Sequence, residues 1–111
     1  MNLLEKIKTT PKSISFAEVI SFIDEHYHFT PTRFTNGTTI NEANQNNGSC
    51  KIFSFAKLQQ ISPEETLHLF GDFYRADVLQ NPTGTDHQNI RNFMASGWEG
   101  IAFEGGALRQ K

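Results

Sequence analysis

The sequence predicts a mainly α fold: one compact domain over residues 1–111, its core at about residues 14–109, with a small β-hairpin element. Three observations point there. Two S-x-x-E capping boxes, Ser15-Phe16-Ala17-Glu18 and Ser62-Pro63-Glu64-Glu65, each open a run with apolar residues at helical spacing. A third such run follows the turn-rich Asn81-Pro82-Thr83-Gly84-Thr85. The Asn36-Gly37 pair, flanked by short β-prone runs, reads as a hairpin. The alternative is a more balanced α+β fold in which residues 50–55 form a strand.

Each element has its own signal. Leu3, Leu4 and Ile7 suggest a short helical turn that stops before Pro11. The first capping box starts a helix over residues 16–27, with Phe16, Val19, Ile20, Ile23 and Tyr27 on one face. Thr30-Pro31 breaks it. The hairpin sets Arg33-Phe34-Thr35 against Thr38-Thr39-Ile40 about a type I′ turn at Asn36-Gly37, and so small a hairpin must lean on helices. A polar loop follows, over residues 41–49. Next, Ile52, Phe55 and Ala56 form a helical face that Ser49 can cap, although the run is short and partly alternating.

The second capping box carries Pro63 at the first helical position. Leu67, Phe70, Tyr74 and Val78 make one apolar face, and Leu69 and Phe73 a second, so the helix over residues 67–79 is expected at the centre. Gly71 inside it costs about 1 kcal/mol of helix propensity and marks a close helix contact or a bend. Asp86 is placed to cap the last helix. There Ile90, Phe93 and Met94 share a face, Gln88, Arg91 and Asn92 point away from it, and Gly97 stops the helix. Ile101-Ala102-Phe103 reads as a third short strand.

Composition excludes more than it assigns. A net charge of −2 with no basic run leaves no electrostatic footprint for nucleic acid. No apolar run is long enough to span a membrane, and the first residues lack a secretory apolar segment. Cys50 is the single cysteine, so an intramolecular disulfide is impossible and a reducing compartment fits. Ten phenylalanines imply an aromatic core, or a core plus an exposed binding patch. No cofactor motif stands out.

Four constellations bear on chemistry. Asp86-His87-Gln88-Asn89-Ile90-Arg91-Asn92 packs six hydrogen-bonding side chains into seven positions, and Arg91 there can take a carboxylate or phosphate bidentately. The plainer reading is a cap, two packing residues and solvated amides. Cys50 follows Gly48-Ser49 at an expected helix start, where a thiol is activated. His87 would be its base, oriented by Asp86 or Asn89. Against that, a free cysteine is most often a small buried hydrophobe. His26-Tyr27-His28 has metal-like spacing but no partner motif, so no metal site is assigned. Arg75 is expected to pair with Asp86 or Glu99, and Trp98, flanked by Gly97 and Gly100, to cover the core or anchor a partner.

Several ordered stretches then carry a resemblance. They include Phe34-Thr35-Asn36-Gly37, Asn46-Asn47-Gly48-Ser49-Cys50-Lys51-Ile52-Phe53, Tyr74-Arg75-Ala76-Asp77-Val78-Leu79, Pro82-Thr83-Gly84-Thr85-Asp86-His87-Gln88-Asn89-Ile90-Arg91-Asn92-Phe93-Met94 and Gly97-Trp98. Across about residues 16–109 the chain resembles the HopJ type III effector family. The resemblance implies a bacterial virulence protein, made in the cytoplasm and secreted into a host cell through a type III apparatus. It supplies no catalytic residues. The leading functional expectation is binding of a host or bacterial protein partner through Arg75, Asp77, His87, Gln88, Arg91, Asn92 and Trp98. The alternatives are a small Cys-dependent hydrolase or acyltransferase using Cys50, His87 and Asp86, and a non-secreted cytoplasmic relative.

Overall fold

Phe53 sits where the aromatic rings of the chain meet. Its ring lies 4.9 Å from that of Phe93, 5.2 Å from Phe70, 6.2 Å from Phe34 and 6.3 Å from Trp98. Phe34, Phe53, Phe55, Phe70 and Phe93 are all fully buried, so half of the phenylalanines build the core. Phe53 belongs to α3 (Asn47–Leu58), along which five successive residues from Ile52 to Ala56 are buried. A helix buried on every side is a central one. The computed structural model describes residues 2–111, and about 54% of the chain is helix and 14% strand. Mainly α and α+β descriptions both fit that balance, but residues 50–55 are helical and the strand alternative fails there.

The centre therefore lies in α3 and not over residues 67–79. That expected helix is broken. The Ser62 capping box forms with Pro63 at the first position, starting α4 (Pro63–His68). The chain then turns at Gly71, whose φ is +61°, and continues as a π-helical segment, Phe73–Val78. A Cβ on Gly71 would lie 2.7 Å from the Phe16 backbone nitrogen. Close approach of the backbone at Ser15 and Phe16 and a left-handed conformation both demand glycine here. Each expected apolar face, Leu67-Phe70-Tyr74-Val78 and Leu69-Phe73, is thus divided between the stretches on either side of Gly71.

The N-terminal half follows its caps. In α1 (Leu3–Thr9) the Asn2 Oδ1 accepts from the Glu5 N–H at 2.9 Å, and Leu3 and Ile7 are buried. A 3-10 turn, Pro11–Ser13, leads to α2 (Phe16–His26), where Ser15 Oγ accepts from the Glu18 N–H at 3.2 Å. Tyr27 is extended and begins β1 (Tyr27–Phe29), which pairs antiparallel with β5 (Leu108–Gln110). Neither strand was expected, because three residues carry too little periodicity to read.

A second sheet has the order β3-β2-β4, from β2 (Phe34–Asn36), β3 (Thr39–Asn41) and β4 (Ile101–Phe103). The third strand is where the sequence placed it. The hairpin register is not. Asn36 pairs with Thr39, so Gly37 and Thr38 form the turn, and positive φ occurs at Gly37 alone of the two. That is the pattern of a type II′ turn. The shift puts Asn36 and Asn41 on the inward face with Phe34. The last helix, α5 (Gln88–Ser96), buries Ile90 and Phe93 but leaves Met94 exposed, and ends at Gly97 with φ +59°. A 3-10 turn, Gly97–Gly100, joins it to β4.

Candidate functional site

Three buried asparagines weld the hairpin to α5. Asn36 Nδ2 donates to Asn89 O at 2.7 Å and to Asn89 Oδ1 at 3.2 Å. Asn41 and Asn89 exchange side-chain amide bonds, at 3.0 and 2.9 Å. Asn46 Nδ2 adds a bond to Asn41 Oδ1 at 2.7 Å. Asn92 Nδ2, half-buried, donates to Asn36 O at 3.0 Å and to Thr39 Oγ1 at 2.7 Å. Burying amides is tolerable when they find hydrogen-bond partners, and here all their polar atoms but Asn36 Oδ1 do so, across three chain segments. Asn89 and Asn92 are therefore not solvated, as the plainer sequence reading had them. They are the joint between α5 and the sheet.

Beside this joint opens a cleft of about 350 Å3. Its walls are the starts of α3 and α5. Asn46 precedes α3 in the left-handed conformation (φ 53°, ψ 49°), and His87 precedes α5 in nearly the same one (φ 50°, ψ 48°). Neither side chain caps its helix. Asp86, the expected cap, instead turns to Arg91. Gly48, Ser49, Gln88 and Asn89 line the cleft from the two helix ends, and Thr39 lines it from β3. Each helix start carries the equivalent of roughly +0.5 charge in its free N–H groups, so both ends favour an anion in the space between them.

His87 is half-buried at the rim. Its Nε2–H donates to Asp77 Oδ2 at 3.1 Å, with Asp86 Oδ2 at 3.9 Å, because a carboxylate can only accept. Its ring packs 5.3 Å from Phe73, and Phe73 packs edge-on against Phe16 at 5.0 Å. Phe73 is 40% exposed. The Phe16–Phe73 pair divides the cleft from a second one of about 360 Å3, lined by Ser13, Ile14, Ser15, Asp72 and Arg75. Sequence reasoning assigned Phe16 and Phe73 to apolar helix faces and missed their partial exposure. It also missed Asn46 and Thr39, whose roles depend on how the hairpin meets α5.

The other candidate residues divide by what they touch. Arg91 is committed to its own loop. Its guanidinium donates to Asp86 O (2.6 Å), Asp86 Oδ1 (2.7 Å) and Asn81 O (3.0 Å). That bond to Arg91 holds the Asp86 carboxyl below its ordinary range. Arg75 meets neither Asp86 nor Glu99. It donates to the backbone carbonyls of Pro11, Ile14 and His68, and to His68 Nδ1 at 3.2 Å. Gln88 Nε2 donates to Thr85 O at 2.7 Å. Trp98, partly buried, packs on Phe93 and Phe53 and donates its Nε1–H to Ile61 O at 3.0 Å, so it covers the core.

Cys50 is 1% exposed, and its thiol faces Thr32 O at 3.6 Å. Burial pushes the thiol above its usual pKa. The helix starts at Asn47, three residues earlier than the activated-thiol reading needs, and Cys50 is absent from the lining of the cleft that holds His87. This is the environment of a packing residue and the opposite of what a thiolate requires. His26 packs on Phe22 at 4.2 Å. No group of three or more metal-ligating side chains occurs among the described residues, and no helix among them is long and apolar enough to cross a membrane.

The stretches that meet at this cleft carry the family resemblance, and the family is borne out. The model of the HopJ type III effector protein family matches residues 1–108, and the chain belongs to that family. A crystal structure described as that of the unknown function protein VPA0580 is similar to it throughout, at 53% identity and a TM-score of 0.97, covering 100% of this chain and 95% of the other. No curated protein matches the chain.

Proposed function

We propose that this chain acts as an effector by binding a protein partner, without catalysing a reaction, and that the cleft between the starts of α3 and α5 is where the partner docks. The occupant that fits is a peptide segment carrying a carboxylate next to an apolar or aromatic side chain. The carrying observation is that two uncapped helix starts and His87 open on one cleft bounded by Phe16 and Phe73. A carboxylate suits the two helix ends, and an apolar neighbour suits the exposed Phe73 ring. The burial of the Cys50 thiol weighs against the hydrolase alternative. Export through a type III apparatus into a host cell belongs to the same proposal, supported by the family to which the chain belongs.

Display selection of random peptides on the wild-type chain, with counter-selection on Phe73→Ala and His87→Ala, tests the binding proposal. The expected result is enrichment of peptides with Asp or Glu beside an aromatic or branched residue, binding the two variants at least about tenfold more weakly. Peptides that bind both variants as well as wild type would overturn it. For export, a translocation reporter fused to the chain should appear in host cells only when the secreting bacterium has an intact type III apparatus.

A further inference from the structure

Among the described residues the Arg75 guanidinium makes no ion pair, and it holds the N-terminal arm by its backbone. It donates to Pro11 O at 3.5 Å and to Ile14 O, the two carbonyls that bracket the 3-10 turn between α1 and α2. The Nη1 that faces Pro11 O also donates to His68 O and His68 Nδ1, both at 3.2 Å. An arginine has no lone pair to offer, so His68 Nδ1 is the acceptor and this ring is neutral with its proton on Nε2. His68 is 7% exposed. From the elements around it the ring meets Tyr74 of the π-helical segment, edge-on at 5.4 Å, and feels Arg75 of that segment, Lys12 of the 3-10 turn and Glu64 of its own helix.

We propose that the arm of residues 2–14 is a pH-sensitive latch, closed by Arg75 and opened when His68 takes a proton. Protonation turns Nδ1 into a donor aimed at a guanidinium that can only donate. One hydrogen bond is lost and two like charges face each other with Lys12 nearby. The guanidinium is driven off and releases the Pro11 and Ile14 carbonyls. The arm carries Leu3, Ile7 and Ile14 into the core, and Ile14 also walls the second cleft beside Phe16. Opening the latch therefore uncovers apolar surface and reshapes one side of the Phe16–Phe73 ridge. This device does not rest on the partner-binding reading.

The sign follows from the direction of the shift. Burial, then Arg75, lowers the His68 pKa below its ordinary value, against the opposing pull of Glu64. The latch is fully closed above the unfolded value of about 6.5 and is lost as pH falls through the lower folded value.

Hydrogen exchange of the full chain, corrected for intrinsic rates, tests this between about pH 7 and about pH 5. Amides of Leu3–Thr9 should lose at least about tenfold in protection relative to those of α3. His68→Gln supplies a side-chain acceptor that does not titrate, so its arm should show no such step. The Lys6–Glu18 and Lys8–Glu65 pairs remain in that variant, which separates them from His68. Ring-resonance titration of wild-type His68 gives an answer independent of any variant. Its midpoint should lie below about 6.5 and coincide with the midpoint of the arm's amide shifts. An arm whose protection holds steady, falls only in parallel with α3, or steps equally in His68→Gln would overturn the proposal, as would a ring midpoint that differs from the arm's.

Discussion

Asn89 and His87 stand two residues apart at the start of α5 and do opposite things. Asn89 points into the molecule, where it is buried and shares hydrogen bonds with Asn36 and Asn41. His87 points along the cleft, held by Asp77 and packed on an exposed phenylalanine. A polar side chain in one motif can be the joint that fixes a site or the surface that a ligand meets. The difference lies in which partners are already engaged. On the joint side almost every donor and acceptor has found another amide. On the cleft side two helix starts keep free N–H groups without side-chain caps.

Substitutions sharpen that contrast, and the largest effect belongs to the joint. Asn89→Ala leaves the buried Asn41 Nδ2 without its acceptor, and takes one bond each from Asn36 Nδ2, which keeps the Asn89 carbonyl, and from Asn41 Oδ1, which keeps Asn46; it should cost about 3 kcal/mol, read as a lowered urea midpoint. A loss below about 1 kcal/mol would break the comparison, since the cluster would then be no more than a polar surface. Gly71→Ala comes next, at about 2 kcal/mol, because the added Cβ meets the Phe16 backbone in a left-handed conformation. Cys50→Ala should cost about 1 kcal/mol as a small cavity. In the wild-type chain, alkylation of Cys50 should follow global unfolding. A fast reaction of the native thiol, lost in His87→Ala, would restore the hydrolase alternative. Phe73→Ala, on the open side, should change stability least, within about 1 kcal/mol.

Much of this was legible in the sequence. The caps at Ser15 and Ser62 form as read, and so do the Gly97 stop and the third strand at Ile101–Phe103. Where the reading failed, a local signal met a tertiary contact. The 67–79 periodicity is real on both sides of Gly71, but only the approach of Phe16 shows that a turn must interrupt it. The Asn36-Gly37 pair pointed to the wrong turn position by one residue, and that shift alone hid the cluster. With Asn36 opposite Thr39, period-two alternation puts Asn36 on the face of Phe34, and pairing puts Asn41 there too. Asn89, four residues before Phe93 and next to Ile90, already stood on the buried side of α5. The destination of Arg75 was not legible at all, since backbone carbonyls leave no mark in side-chain pattern.

The most direct test pairs two readouts on two variants. Unfolding midpoint and affinity for a selected acidic-aromatic peptide are measured for Asn89→Ala and Phe73→Ala. Phe73→Ala should keep its midpoint and lose binding at least about tenfold, while the midpoint of Asn89→Ala should fall. A Phe73→Ala chain that binds the peptide undiminished while unfolding as readily as Asn89→Ala would contradict this: the ridge would then be core and the docking face would lie elsewhere.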